Sequence, residues 1–268
     1  MTPSRYPAVV TAAGAATRFR PFSHAVPKEM LPLGDTPAVG HVIGECLAGG
    51  ASEVLVVTRP GDATVPAYVQ HLRAQGLPVM TVVEDLAHGY GNATPLLTVA
   101  ERLADCSVFA VAFGDDILLG ELVRGATLAA MHATACGGLD AVVAAQPIPR
   151  QETRSFGIID IAPSGLERVR RIRQRPDPAT VREPLAVVSR LILRPSILDR
   201  LTPTDRAGGE VDLGVAVGDL AAEAAVGAHR IAGHWVTVGD PDRYRDALAT
   251  YWQLRQAAPT TTPVRTTS

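Results

Sequence analysis

Through the first half of the chain, short apolar runs rich in β-branched residues alternate with longer segments whose apolar side chains recur at spacings of three and four. The runs at residues 8–11, 53–58, 78–83, 108–113 and 139–145 predict strands, and the segments at 39–48, 64–75, 92–103 and 122–135 predict helices. Alternation of this kind predicts an α/β fold, Rossmann-like, with a mostly parallel sheet and helices on both faces. Ligands bind at the carboxyl ends of the strands in such a sheet. Past Gln146 the texture changes to short strands carrying Pro and Arg, at 155–161, 169–174 and 185–193, with another helix at about 210–225. These predict a smaller β-rich region that lids the first sheet without a linker between them. Asp240 followed by Pro241 reads as an N-cap and the first residue of a last helix. Tyr244, Leu248 and Tyr251 share one face of that helix, as core residues do. The expected organisation is one domain over residues 1–258, divided near 146/147, and a polar disordered tail at 259–268.

Composition narrows the function by exclusion. A chain of 268 residues can bury a substantial core, and its net charge of −2 gives no reason to expect nucleic acid as a partner. Small anionic ligands stay open. Cys46, Cys106 and Cys136 are widely spaced with no Cys-x-x-Cys pair, which argues against disulfides and structural zinc and fits a reducing compartment. The sequence shows no apolar run of membrane-spanning length and no signal core, so the expectation is a cytoplasmic protein with no membrane partner.

The first strand changes the picture most. It runs into Thr11-Ala12-Ala13-Gly14-Ala15-Ala16-Thr17-Arg18, successive backbone N–H groups with almost no side-chain bulk. That shape suits a phosphate, to which Arg18 adds a bidentate charge and Lys28 a mobile one. A Walker loop requires Gly-Lys-Ser/Thr, and a dinucleotide fingerprint requires Gly-x-Gly-x-x-Gly with an acidic residue ending the second strand; here that strand ends Thr58-Arg59. A triphosphate cradle is the better reading. Gly114, Asp115 and Asp116 close the 108–113 run at the carboxyl end of a strand, where a ligand is expected. The seven histidines show no metal spacing.

On these residues the chain resembles the sugar-1-phosphate nucleotidylyltransferases, above all the bacterial uridylyltransferases that act on glucose-1-phosphate. The resemblance is carried by AGAATRFRP (13–21), AVPKEMLP (25–32), DLAHGYGNA (85–93), FGDDIL (113–118), SFGIID (155–160), RQRP (173–176), LAVVSR (185–190), GEVDL (209–213) and TVGD (237–240), and covers roughly residues 6 to 254. It implies a nucleotidyltransferase, or GT-A-like, fold, and attack of a sugar-1-phosphate oxygen on the α-phosphorus of a nucleoside triphosphate. The implied nucleotide contacts are Ala12, Ala13, Gly14, Ala15, Thr17, Glu84, Gly89 and Gly114. The implied catalytic residues are Arg18, steadying the leaving phosphates, Lys28, on the α-phosphate, and Asp115, anchoring Mg²⁺. Gly157, Gln174, Arg175 and Glu210 are the implied sugar-phosphate contacts. The partners implied are the two substrates and a homo-oligomer.

Departures from the family pattern stand at each site. Thr237 occupies the place of an aspartate that is the second metal ligand, leaving Asp240 or Asp116 as substitutes, or Asp115 alone with phosphates and water, or else a chain of weak turnover. The alternative is a degenerate relative that binds a nucleotide or nucleotide sugar and regulates a partner. Glu84 stands where uridylyl members carry a glutamine that contacts uracil, and a carboxylate only accepts. Gln174 replaces a glutamate, Gly214-Val215 replaces Thr-Asp, and Pro184 replaces an asparagine. The segment between Thr58 and Pro78 is shorter than in uridylyltransferases. These changes predict a shifted base and sugar preference.

Overall fold

The run YPAVVTA is buried along almost its whole length and forms β1 (Tyr6–Ala12), the strand around which the rest is laid. Ala8 and Val10 point into one core and Val9 into the other, as period-two alternation requires of a strand covered on both faces. The structure, a computed structural model, describes residues 5–163, 167–205 and 208–257, so the tail expected at 259–268 lies outside the described residues.

A two-residue hairpin, β2 (Pro32–Leu33) and β3 (Thr36–Pro37), leads from the first loop into α1 (Ala38–Ala48). Then come β4 (Ala51–Thr58), α2 (Thr64–Ala74), β5 (Val79–Val83), α3 (Thr94–Thr98), α4 (Ala100–Leu103) and β6 (Phe109–Phe113). β1 pairs in parallel with β4 and β6, and β4 in parallel with β5. The chain continues through β7 (Asp116–Leu119), α5 (Ala126–Cys136), β8 (Ala141–Pro147), β9 (Gly157–Ile161), β10 (Val169–Gln174) and β11 (Leu185–Leu193). It ends with α6 (Leu213–Glu223), β12 (Val226–Arg230), β13 (His234–Thr237) and α7 (Pro241–Ala257).

Among the described residues nine strands make one mixed sheet, ordered β10-β9-β11-β6-β1-β4-β5, with β8 joined to β11 and β12 joined to β8. The late strands thus extend the sheet of the first half. β11 makes the join: antiparallel to β6 over Arg190–Leu193, it shifts register between Val187 and Leu191 and lays its other end against β8 and β9. α1, α2, α5 and α7 cover one face, with Tyr244, Leu248 and Tyr251 packed there, and α3, α4 and α6 cover the other. None of these helices is long and apolar enough to cross a membrane.

Three differences from the expected elements have local causes. The 92–103 segment breaks at Val99, whose ψ of 13° separates α3 from α4. The helix expected from residue 122 begins at Ala126, because the Glu121 carboxylate accepts the N–H groups of Gly125 and Thr127 and Gly125 is left-handed at φ 78°; Leu122 and Val123 stay exposed. β7 and β13, four residues each, pair antiparallel at the rim of the sheet and set Thr237 opposite Asp116. Strands so short carry no periodic signal.

Candidate active site

At the carboxyl end of β1 the chain turns through Ala13–Ala16 without side-chain bulk, and Ala16 takes a left-handed φ of 48° to enter the short turn Thr17–Phe19. Gly14 lies under Lys28: a Cβ there would sit 3.3 Å from both Cε and Nζ of the lysine. Gly114 is equally confined, since a Cβ would come within 2.9 Å of the Thr11 carbonyl oxygen, which accepts the Gly114 N–H at 2.9 Å. Both glycines therefore serve close approach rather than flexibility.

Between them lies a charged cluster. Lys28 Nζ donates to Asp115 Oδ2 at 2.5 Å and stands 3.9 Å from Glu29 Oε1. Burial alone would lower the Lys28 pKa, but Asp115 and Glu29 outweigh it and hold the ammonium well above the ordinary lysine range. Glu29 is only 2% exposed, its Oε2 has no hydrogen-bond partner, and burial pushes its pKa up to about 7. Asp116 accepts from the Ser189 hydroxyl, and burial with the neighbouring Asp115 charge raises it to about 6.

Two cavities meet at this cluster. One, of about 580 Å³, opens over the loop after β1 and contains Ala13, Gly14, Ala15, Lys28, Glu84, Gly89 and Glu210 in its walls, along with Arg20 and Arg59. The other, of about 600 Å³, lies under β9, β10 and α6 and includes Gly157, Gln174, Arg175, Arg18 and Asp240. Asn92, Phe113 and Asp115 belong to both. Ala12 and Gly114 are buried behind the first cavity, and Thr17 is exposed outside both linings.

Besides Thr17, Arg18 and Glu210 stand away from where the sequence reading puts them. Arg18 reaches the second cavity, drawn there by Asp240 Oδ2 at 3.2 Å, and Arg20 faces the first in its stead. Glu210 lines the first cavity, because Val211 donates its N–H to the Tyr90 carbonyl and pins that segment to the Gly89–Asn92 loop. Arg175, in the wall of the second cavity, adopts φ 46°; with Ala16, which follows the first cavity's Ala15, it is one of two non-glycine residues at positive φ among the described residues.

Asn92 and Asp212 are the contributors the sequence reading passed over. Asn92 donates to Asp212 Oδ2 at 2.8 Å and accepts the Leu213 N–H at 2.8 Å, while Asp212 Oδ1 caps α6 through the Val215 N–H. The available signal was an Asp immediately before a helical pattern, an N-cap. The pair ties the wall between the cavities to the start of α6.

For a hard divalent cation, the donor set is narrow. Among the described residues no three His, Cys, Asp or Glu side chains gather as a ligand cluster. Thr237 spends its hydroxyl on the turn, donating to the Asp115 carbonyl at 3.3 Å and accepting the Gly239 N–H at 3.1 Å. Asp240 caps α7 with Oδ1 and holds Arg18 and Arg243 with Oδ2. Asp115 remains the carboxylate that faces both cavities. One carboxylate with phosphate and water oxygens is a fitting site for Mg²⁺.

Comparison with known proteins bears on the family and the fold. A family model described as nucleotidyl transferase matches residues 7–253. The chain is similar to the UTP–glucose-1-phosphate uridylyltransferase of Staphylococcus epidermidis, 27% identical over 259 residues and 87% of each chain. It is 29% identical over 257 residues to the UTP–glucose-1-phosphate uridylyltransferase YngB of Bacillus subtilis, covering 87% of this chain and 84% of that one. In fold it is similar to a UDP-glucose pyrophosphorylase crystallised with UDP-glucose, with TM-score 0.80, 22% identity and coverage of 93% and 99%. A glucose-1-phosphate thymidylyltransferase structure from Bacillus anthracis, described as putative, aligns with TM-score 0.77 at 17% identity, over 91% of this chain and 94% of that one.

Proposed function

The chain belongs to the nucleotidyl transferase family, and we propose that it joins a nucleoside triphosphate to a sugar-1-phosphate, releasing pyrophosphate and an NDP-sugar. The observation that carries this reading is the Lys28–Asp115 pair at the seam shared by the two cavities. One cavity would take the triphosphate, the other the sugar phosphate, so the reacting atoms meet where the ammonium stands.

In the reaction an oxygen of the sugar phosphate forms a bond to the α-phosphorus as the bond from that phosphorus to the β-bridging oxygen breaks. The nucleophile is already an anion, so no proton must be removed and the protein's work is alignment and charge neutralisation. Lys28 stays protonated and neutralises charge gathering on the α-phosphoryl oxygens. The bare loop at Ala13–Ala15 lets phosphate approach the backbone. Arg175 and Arg18 face the cavity of the attacking phosphate, and Arg20 faces that of the leaving one. Asp115 would hold Mg²⁺, whose bound charge adds to the neutralisation. Residues 1–258 are read as one domain whose two halves carry the two substrates.

A second reading, a nucleotide binder without turnover, is favoured by Thr237, which brings no carboxylate to the metal. Pyrophosphate release from purified protein, measured over a panel of triphosphates and sugar-1-phosphates with Mg²⁺, separates the two. Release that requires both substrates is expected. Nucleotide binding without release over hours would instead establish the second reading.

A further inference from the structure

The first cavity has two chemically unlike ends. The Gly14 end is bare backbone under Lys28 and Arg20, with Asp115 and Glu29 beside the lysine; the other end, past β5, is walled by Glu84, Leu86, Tyr90 and Pro95, with Arg59 on the neighbouring strand end. A polyphosphate needs backbone N–H groups free of side-chain bulk, which the Ala13–Ala15 loop supplies at the first end. The base therefore lies at the Glu84 end. The spacing agrees: neighbouring strands are about 4.8 Å apart, and Glu84 follows β5, two strands from β1, which sets it about 10 Å from the phosphate loop, the reach of a ribose and a base.

Glu84 is held for this task. Its N–H donates to the Thr58 carbonyl at 2.8 Å, which continues the parallel ladder of β4 and β5 and fixes the backbone. Thr94 Oγ1 lies 2.6 Å from Glu84 Oε1 and 2.9 Å from the Gly91 carbonyl oxygen. A hydroxyl has one proton, and 2.6 Å is the length of a hydroxyl-to-carboxylate bond. Glu84 is thus the acceptor, with the plane of its carboxylate set by Thr94. Each oxygen keeps lone pairs for a ligand.

We propose that Glu84 selects the nucleobase and that the triphosphate is GTP in preference to UTP; the inference rests on the nucleotidyl-transfer reading. Two adjacent carboxylate oxygens match two adjacent donors. Guanine alone among the common bases offers them, in its N1–H and exocyclic amine. Uracil presents a single N3–H between two carbonyls, so a carboxylate that accepts that proton sets its other oxygen against a carbonyl oxygen. Cytosine and adenine each offer an amine beside a bare ring nitrogen. Arg59 lines the same cavity, but a guanidinium serves a carbonyl of guanine, cytosine or uracil alike and discriminates less.

The test is calorimetric binding of GTP and UTP to the full chain in Mg²⁺ without sugar phosphate, on wild type and on the isosteric Glu84→Gln. Wild type is expected to bind GTP at least about tenfold more tightly than UTP, because the mismatch leaves a polar group unpaired. In Glu84→Gln, an amide that both donates and accepts, that ratio is expected to fall at least about tenfold. UTP bound as tightly as GTP by wild type, or an unchanged ratio in the variant, overturns the assignment of Glu84. If UTP also supports pyrophosphate release, the nucleotidyl-transfer reading survives that result. Binding of neither triphosphate overturns the assignment of Glu84 to GTP, and the nucleotidyl-transfer reading falls with it only if ATP, CTP and dTTP also fail to bind.

Discussion

Lys28 owes its charge to its neighbours. An ammonium buried to 16% side-chain exposure would tend to lose its proton, yet Asp115 at 2.5 Å and Glu29 at 3.9 Å keep it on. In the proposed reaction that charge meets the α-phosphoryl oxygens as they become more negative, so Lys28→Ala is expected to lower kcat by about 100-fold or more. Initial-rate measurement of pyrophosphate release checks this, and wild-type turnover would remove Lys28 from the mechanism. Glu29 carries a different expectation. Its pKa rises from an ordinary carboxylate value to about 7 in the folded chain, so the folded state binds more protons than the unfolded one between those values. Stability from this group is full at low pH and is lost as pH rises through about 7. Glu29→Gln has no proton to lose. Relative to wild type, the variant is expected to gain stability on going from pH 5 to pH 8, by on the order of 1–3 kcal/mol, in urea melts at the two pH values. A difference that does not change with pH would show that Glu29 is not neutral in the fold at pH 5.

The loop Gly89–Ala93 and the segment entering α6 hold each other through backbone as well as through the Asn92 side chain: Val211 donates to Tyr90, and Ala93 to Val211, at 2.8 and 3.1 Å. Gly91 makes this possible. Its φ is 150°, and a Cβ would meet the Val211 backbone nitrogen at 2.5 Å. Gly91→Ala is therefore expected to cost at least about 2 kcal/mol in denaturant melts and to weaken nucleotide binding, as the wall bearing Glu84 and Asn92 comes loose. Elements of this kind mark the limit of what the sequence makes legible. Long apolar runs announced β1, β4, β6 and β11, and the gap-free AVPKEMLP motif announced Lys28, because periodicity and motif are local. Which lysine meets which aspartate is not local: Lys28 and Asp115 are 87 residues apart, and only the parallel pairing of β1 with β6 brings them together. Glu29, the next residue of that motif, is buried beside the same pair, which no local pattern announces. Arg18 was legible as a phosphate-side cation, but its pull toward Asp240, 222 residues away, was not.

At the scale of the whole molecule, one buried side chain joins the first half of the chain to the second. Arg190 sits on β11 in LAVVSRLIL, where a lone arginine reads as solvated, yet it is 0% exposed. Its Nε and Nη2 donate to the two Glu45 carboxylate oxygens on α1, at 2.8 and 2.7 Å, and Nη2 also donates to the Asp116 carbonyl at 2.8 Å. A buried pair of this geometry is costly to break, because the remaining charge has no water, and nearly neutral to replace whole by apolar side chains. Arg190→Met is accordingly expected to destabilise by about 3–5 kcal/mol, and adding Glu45→Met is expected to recover more than half of that loss. Turnover should not recover with it. The Asp116 carbonyl loses its donor in both variants, which leaves the Ser189 hydroxyl on the Asp116 carboxylate as the remaining side-chain tether of that turn to β11. Denaturant melts and pyrophosphate-release rates on the single and double variants separate these effects. If rate returns together with stability, the guanidinium serves packing alone, and the Asp115 carboxylate is positioned by the β7–β13 pairing without it.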